Sequence, residues 1–271
     1  MKKGLLVIFA VIVCAAAVIA GRLHWKGEVA RMSKAAKAEW RADQETAGKA
    51  GNDGEQAKGA LASDAPADLA ALTKHLPKKL QDKIKTALEN KSSVRVLLAG
   101  GESVLGLAAP LQKQLNDAYG SPIFYVKEKT FSGENSLTVY QKELYQSLAD
   151  EKPDVIIFTA MLIEDNGKVS THDSARIPVL IGNNLKDTLP DATFMIEPPN
   201  PVTFYDGINA RAEELKETAK DAGYVYLDHL SAWPKGEGLA NDLDKAGRLP
   251  NEKGIKLWAD YLTAYFSGKK L

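Results

Sequence analysis

The chain has 271 residues, 45% of them hydrophobic and 26% charged, which suits one well-cored globular domain with additional segments. Lysine plus arginine and aspartate plus glutamate balance at 35 each, so no net field recruits nucleic acid, and no zinc-finger or RNA-binding motif is present. The one cysteine, Cys14, excludes a disulfide framework and a cysteine-based metal site.

Lys2 and Lys3 precede an apolar run from Gly4 to Ala20, which reads as a signal peptide or an uncleaved membrane anchor. The run exceeds the roughly 7 to 15 residues of a signal core and approaches the roughly 17 to 25 of a spanning helix, which favours an anchor. Val18-Ile19-Ala20 still permits cleavage, which would release a secreted form. Val13 before Cys14, and the apolar residues after it, speak against a lipoprotein. The lysines place the N-terminus in the cytoplasm and the remainder outside it, attached through the N-terminal helix of residues 1–26.

Residues 27–66 are rich in Ala, Lys, Glu, Gln, Asp and Gly with few large aliphatics, so they read as a flexible stalk. Within residues 67–92, Leu69, Leu72, Leu76, Leu80, Ile84 and Leu88 recur at three- and four-residue steps, interrupted at Pro77, and predict a lead-in helix pair. From residue 93 to 271 the texture changes. Short apolar runs at Val94–Ala99, Pro122–Val126, Val155–Phe158, Ala192–Ile196 and Tyr224–Leu227 predict five buried strands. Helical patterns at Leu105–Ala118, Ser136–Ala149, Ile177–Thr188, Asn209–Ala222 and Lys253–Phe266 separate or follow them. This alternation predicts a three-layer α/β/α, flavodoxin-like domain with a five-stranded, mostly parallel sheet and its function beyond the carboxyl ends of the strands.

The loops there carry the candidate chemistry. Gly100-Gly101-Glu102-Ser103 follows the first strand, and Ser103 suits either a helix cap or an exposed nucleophile beside backbone N–H groups. Gly133 lies in the second loop, and Glu164-Asp165-Asn166-Gly167 in the third. After the fourth strand comes a stiff loop, Glu197-Pro198-Pro199-Asn200-Pro201, which walls a cleft or closes the domain. The run from Ala246 to Asn251 leads into Gly254 and Trp258-Ala259, where Asn251 suits a helix cap and Ile255, Trp258, Leu262 and Phe266 form an apolar stripe.

Gly-x-Ser after the first strand, a second-loop Gly, a third-loop motif after Pro-Asp-Val-Ile-Ile, and Pro-Asn-x-x-Gly-x-x-x-Trp-Ala near the end occur in this order. Together, over residues 93 to 268, they resemble the SGNH (GDSL-type) hydrolase family, and in particular its membrane-anchored extracytoplasmic branch in Gram-positive bacteria. The resemblance implies acyl esterase or carbohydrate O-deacetylase chemistry. It puts Ser103 at the nucleophile position, with its own N–H and that of Gly133 in the oxyanion hole. It aligns Glu164 with the family's third oxyanion donor, an Asn; Asn166 takes that place only if the loop slips in register. Leu249 and Ala246 fall where the family has its catalytic His and Asp.

A serine hydroxyl is a weak nucleophile without a base in reach, so these replacements predict impaired catalysis. Among the four histidines, His172 and His229 are the candidate substitute bases, His24 and His75 lying near the membrane and in the lead-in helices. Asp242 and Asp244 are either solvated or hold a water or cation. No spacing of ligating residues predicts a metal, and no cofactor is expected. Three functions remain open: an impaired hydrolase-like protein that binds or acts on cell-envelope glycans or acylated polymers, an active esterase with an unusual base, and a structural envelope protein that binds a partner through its stalk and lead-in helices.

Overall fold

The computed structural model describes residues 69–269, Asp206 excepted. Contacts divide the chain into Met1–Leu61 and Ala62–Leu271, and only the second unit falls within the described region. The apolar run Gly4–Ala20, Cys14, His24 and the stalk lie outside it. Among the described residues no helix is long and apolar enough to cross a membrane.

Five strands form one sheet: β1 (Val94–Gly100), β2 (Phe124–Thr130), β3 (Val155–Thr159), β4 (Thr193–Glu197) and β5 (Val225–Tyr226). Their order is β2-β1-β3-β4-β5, and every neighbouring pair is parallel. The helices are α1 (Leu69–Thr73), α2 (Lys78–Asn90), α3 (Ala108–Tyr119), α4 (Ser136–Gln141), α5 (Thr171–Thr188), α6 (Gly207–Asp221) and α7 (Glu252–Ser267). Side chains alternate across a strand, so β1 feeds two cores at once. Val94, Val96 and Leu98 join Leu80 and Ile84 of α2, Leu111 and Leu115 of α3, and Trp258, Leu262 and Phe266 of α7. Leu97 and Ala99 join Val139 of α4 and Ile177, Ile181 and Leu185 of α5. A third cluster seats α6 through Ile208, Ala212 and Leu215 against Ala175 of α5 and Ile196 of β4.

The lead-in helices are part of this domain and not an appendage to it. Leu76, Leu80, Ile84 and Ala87 share one continuous core with β1 and α7. A partner that bound the apolar face of α2 would have to displace that core.

The predicted elements are present, and three of their bounds move by four residues or more. The second strand continues through Lys127, Glu128 and Lys129 because β2 is an edge strand with one wet face, where alternation replaces a continuous apolar run. The helix expected over Ser136–Ala149 stops at Gln141; Glu143 takes a positive φ of 53°, and a separate 3-10 segment follows over Leu144–Glu151. The helix expected from Ile177 begins six residues earlier at Thr171, where Ser170 accepts a hydrogen bond from the Asp173 N–H, and it carries Pro178 inside it.

Candidate active site

In the order β2-β1-β3-β4-β5 the chain leaves β1 in opposite directions, so a crevice opens beyond the carboxyl ends of β1 and β3. The loops after these two strands carry Ser103 and Glu164. Ser103 lies in a 3-10 turn, Glu102–Val104, and is 2% exposed. Glu128 of β2 fixes the end of that turn by accepting the N–H groups of Gly106 and Ala108 at the start of α3. The Ser103 hydroxyl itself has no hydrogen-bond partner.

Glu164 and Asp165 are buried, whereas Asn166 is exposed. No register slip brings Asn166 inward. Asp165 anchors the loop by accepting both the N–H and the hydroxyl of Ser136 at the start of α4. Glu164 then faces the serine turn so closely that a methyl group on Gly101 would lie 2.6 Å from its carboxylate. Neither carboxylate oxygen has a hydrogen-bond partner. Burial pushes the Glu164 carboxyl above its ordinary range, and the backbone N–H groups of Glu164 and Glu102, near it but outside hydrogen-bond geometry, and Arg248 pull it back only in part. Gly133 occupies an exposed turn after β2 with φ of 81°, followed by Asn135, which caps α4 through the Thr138 N–H.

The last block is a closed loop pinned at both ends. Leu243 pairs with Pro250, and the Asp244 carboxylate accepts the Arg248 N–H at 2.8 Å. Asp244 is therefore a turn residue, held below its usual range by that bond and by neighbouring N–H groups. Asn251 accepts from Lys253 and Gly254 at the start of α7, while its amide donates to the carbonyls of Asn241 and Leu243. Ala246 is exposed and Leu249 half-buried, and neither side chain has an ionisable group. Arg248, between them in sequence, reaches Glu164 at 3.6 Å and Glu102 at 3.9 Å.

The loop after β4 holds this block in place. The Asn200 amide donates to the carbonyl of Arg248 at 2.9 Å, and the Thr203 N–H donates to that of Gly247 at 3.0 Å. Gly247 has φ of 65°, and a methyl group there would overlap the Thr203 hydroxyl, so only glycine fits. Glu197, at the end of β4, is fully buried, accepts from Thr159 and Trp258, and is pushed up to about 8 by that burial. A cavity of about 690 Å³ lies between this loop and residues 230–240, lined among others by Val202, Thr203, Tyr205, Trp233 and Leu239.

No histidine within the described residues hydrogen-bonds Ser103. His229 is buried with both ring nitrogens engaged: Nδ1 accepts the Trp233 indole N–H, which leaves Nε2 to donate to the Pro198 carbonyl. Burial holds it down to about 4, so it is a neutral core residue stacked on Trp258 and not the substitute base. His172 is exposed on the first turn of α5 and pairs with Glu214 of α6. His75 bonds the Tyr265 carbonyl. Arg248, Asn200 and Glu197 were not singled out by side chain in the sequence. The one signal for Arg248 is charge: it is a basic residue in the last block, in a chain that carries the acidic Glu164 in its third loop.

No protein-family model matches the chain, and no curated protein matches it. Solved structures do. A peptidoglycan O-acetylesterase aligns with a TM-score of 0.60 at 10% identity, covering 73% of this chain and 97% of that one. A GDSL-like lipase from Bacteroides thetaiotaomicron gives 0.51 at 12% identity over 71% and 98%. A carbohydrate esterase of family 3 from Talaromyces cellulolyticus gives 0.52 at 18% identity over 64% and 95%. The chain has the SGNH (GDSL-type) hydrolase fold. At these identities the likeness concerns the fold, and the chemistry of this SGNH frame has to be read from its own residues.

Proposed function

We propose that this protein is an SGNH-fold component of the cell envelope, held outside the cytoplasm, that has lost efficient ester hydrolysis and binds glycans or acylated polymers of the envelope. The observation that carries this reading is the Ser103 hydroxyl. It is buried without a partner, and each histidine of the described region is committed elsewhere. A general base acts from within hydrogen-bond reach of the proton it removes, and no imidazole is there. Where the family resemblance calls for an amide donor to the oxyanion, Glu164 offers a carboxylate, which opposes the developing charge.

The glycan part of the reading is supported by the peptidoglycan and carbohydrate esterases that share the fold. The cavity between the loop after β4 and residues 230–240 is of a size that accepts a sugar-sized group. The extracytoplasmic placement is supported by the charged-then-apolar N-terminal sequence.

The full-length protein and its Ser103→Ala variant should be incubated with a fluorophosphonate and with acetyl esters, then offered to insoluble peptidoglycan. The expected outcome is neither serine-dependent labelling nor turnover, together with retention on peptidoglycan. Labelling or turnover abolished by Ser103→Ala would overturn the loss of hydrolysis, and absence of retention would overturn the glycan assignment.

A further inference from the structure

Around the serine turn and the last block, several buried polar atoms have no hydrogen-bond partner within the protein: the Ser103 hydroxyl, both Glu164 carboxylate oxygens, the Asn200 side-chain carbonyl and the Arg248 Nε. Ser103, Glu164 and Asn200 are 2%, 9% and 0% exposed, so bulk water does not satisfy them. The serine turn, Glu164 and the Arg248 side chain form one locus, and Asn200 adjoins it through the Arg248 backbone. Glu164 lies against Gly101 of the serine turn, Arg248 reaches Glu164 at 3.6 Å, and Asn200 holds the Arg248 carbonyl at 2.9 Å. The orientation of Asn200 is fixed, because its nitrogen donates to two carbonyls, of Pro201 and Arg248, leaving its oxygen to face away from both.

The hydrogen-bonding polarity of this set is informative. Three of the free atoms only accept, one only donates, and the Ser103 hydroxyl does either. An ester carbonyl has lone pairs and no proton, so it would meet the Glu164 and Asn200 oxygens acceptor to acceptor. A free hydroxyl donates to a carboxylate and accepts from a guanidinium N–H at the same time. A bare cation suits the site poorly, since Arg248 already balances Glu164, and among the described residues no group of three or more acidic, His or Cys side chains could hold a metal.

We propose that Ser103, Glu164, Asn200 and Arg248 form a binding site for free hydroxyl groups of an uncharged sugar, so that the protein selects O-deacylated over O-acylated glycan. Arg248 is the movable member: its side chain is 41% exposed and its ion-pair contacts are long, 3.6 and 3.9 Å, so it admits the ligand by swinging outward. This inference rests on the glycan-binding reading and specifies which form of the glycan is held.

The test is calorimetric titration of the full-length protein with chitotetraose and cellotetraose, each beside its O-acetylated counterpart. At least one unmodified oligosaccharide is expected to bind tenfold or more tightly than its acetylated form. Glu164→Gln, which keeps the shape but turns one acceptor into a donor, and Arg248→Ala, at a half-exposed position, are each expected to weaken that binding tenfold or more, with unchanged melting temperatures for Arg248→Ala. Equal binding of acetylated and free forms, binding untouched by both substitutions, or no binding of either sugar would overturn the proposal, the last meaning that the crevice holds buried water only. Retention on peptidoglycan without preference for the free form would overturn this inference alone; loss of retention would overturn the glycan reading beneath it.

Discussion

Gly101 shows how a single missing atom shapes the crevice. Its φ of −76° is open to any residue, so its need for glycine is steric and comes from Glu164. Gly101→Ala is expected to destabilise the fold by about 1–3 kcal/mol, the usual cost of overpacking. In a Glu164→Ala background the same change should cost far less, and urea denaturation of the four proteins reads that coupling directly. Little of this was legible in the sequence. Ser103, Gly133 and Glu164 could be found because each sits at a fixed distance after a strand. Arg248 and Asn200 act through a loop-to-loop contact 48 residues apart, which no local pattern encodes.

Glu197 and His229 bracket Trp258 from two sides and titrate in opposite senses. Burial raises Glu197 from 4.5 to about 8, so the native state holds a proton that the unfolded chain releases, and stability falls as pH rises between those values. Burial lowers His229 from 6.5 to about 4, so its contribution is lost as pH falls through that interval. The two oppose each other below 6.5, and from there to about 8 Glu197 contributes a decline that His229 no longer offsets. Denaturation midpoints should therefore drop between about pH 6.5 and pH 8.5, and Glu197→Gln should flatten that limb.

At the scale of elements, the block before α7 is held by its loop and its helix cap. Asn251 caps α7 and ties two carbonyls of the preceding loop, so Asn251→Ala should exceed an ordinary cap loss and cost about 2 kcal/mol or more, measured by thermal unfolding. The cap and the apolar stripe of α7 were visible in the sequence because both follow helical spacing. Element ends were less so. β2 runs on through charged residues because its outer face is wet, and β5, at the other edge, pairs with β4 over only two residues. The break at Glu143 depends on a positive φ that no glycine announces.

At the scale of the molecule, the order β2-β1-β3-β4-β5 is that of the flavodoxin-like fold expected from the sequence, and its parallel character and helical layers were legible because buried runs alternating with helices allow few other arrangements. What the sequence presented as a lead-in is structural. Leu80 and Ile84, at 1% and 0% exposure, are expected to cost about 2–5 kcal/mol each when cut to alanine, as much as residues in the centre of the sheet. Equilibrium unfolding of Leu80→Ala and Ile84→Ala checks this, and a cost near zero would mean that α2 is dispensable.

The shared core of α2 and α7 has a consequence for biosynthesis. Translation delivers α2 early and α7 more than 160 residues later, yet Leu80, Ile84, Trp258 and Phe266 bury one another's surroundings. Until α7 emerges, the face of the sheet that it covers stays open, and a parallel sheet built from long-range crossovers gains little from folding piecemeal. In cell-free translation without membranes, the nascent chain should thus stay sensitive to protease until α7 has cleared the ribosome, then become resistant in a single step. A polypeptide stalled before Glu252 would expose that apolar face to chaperones and to its own copies.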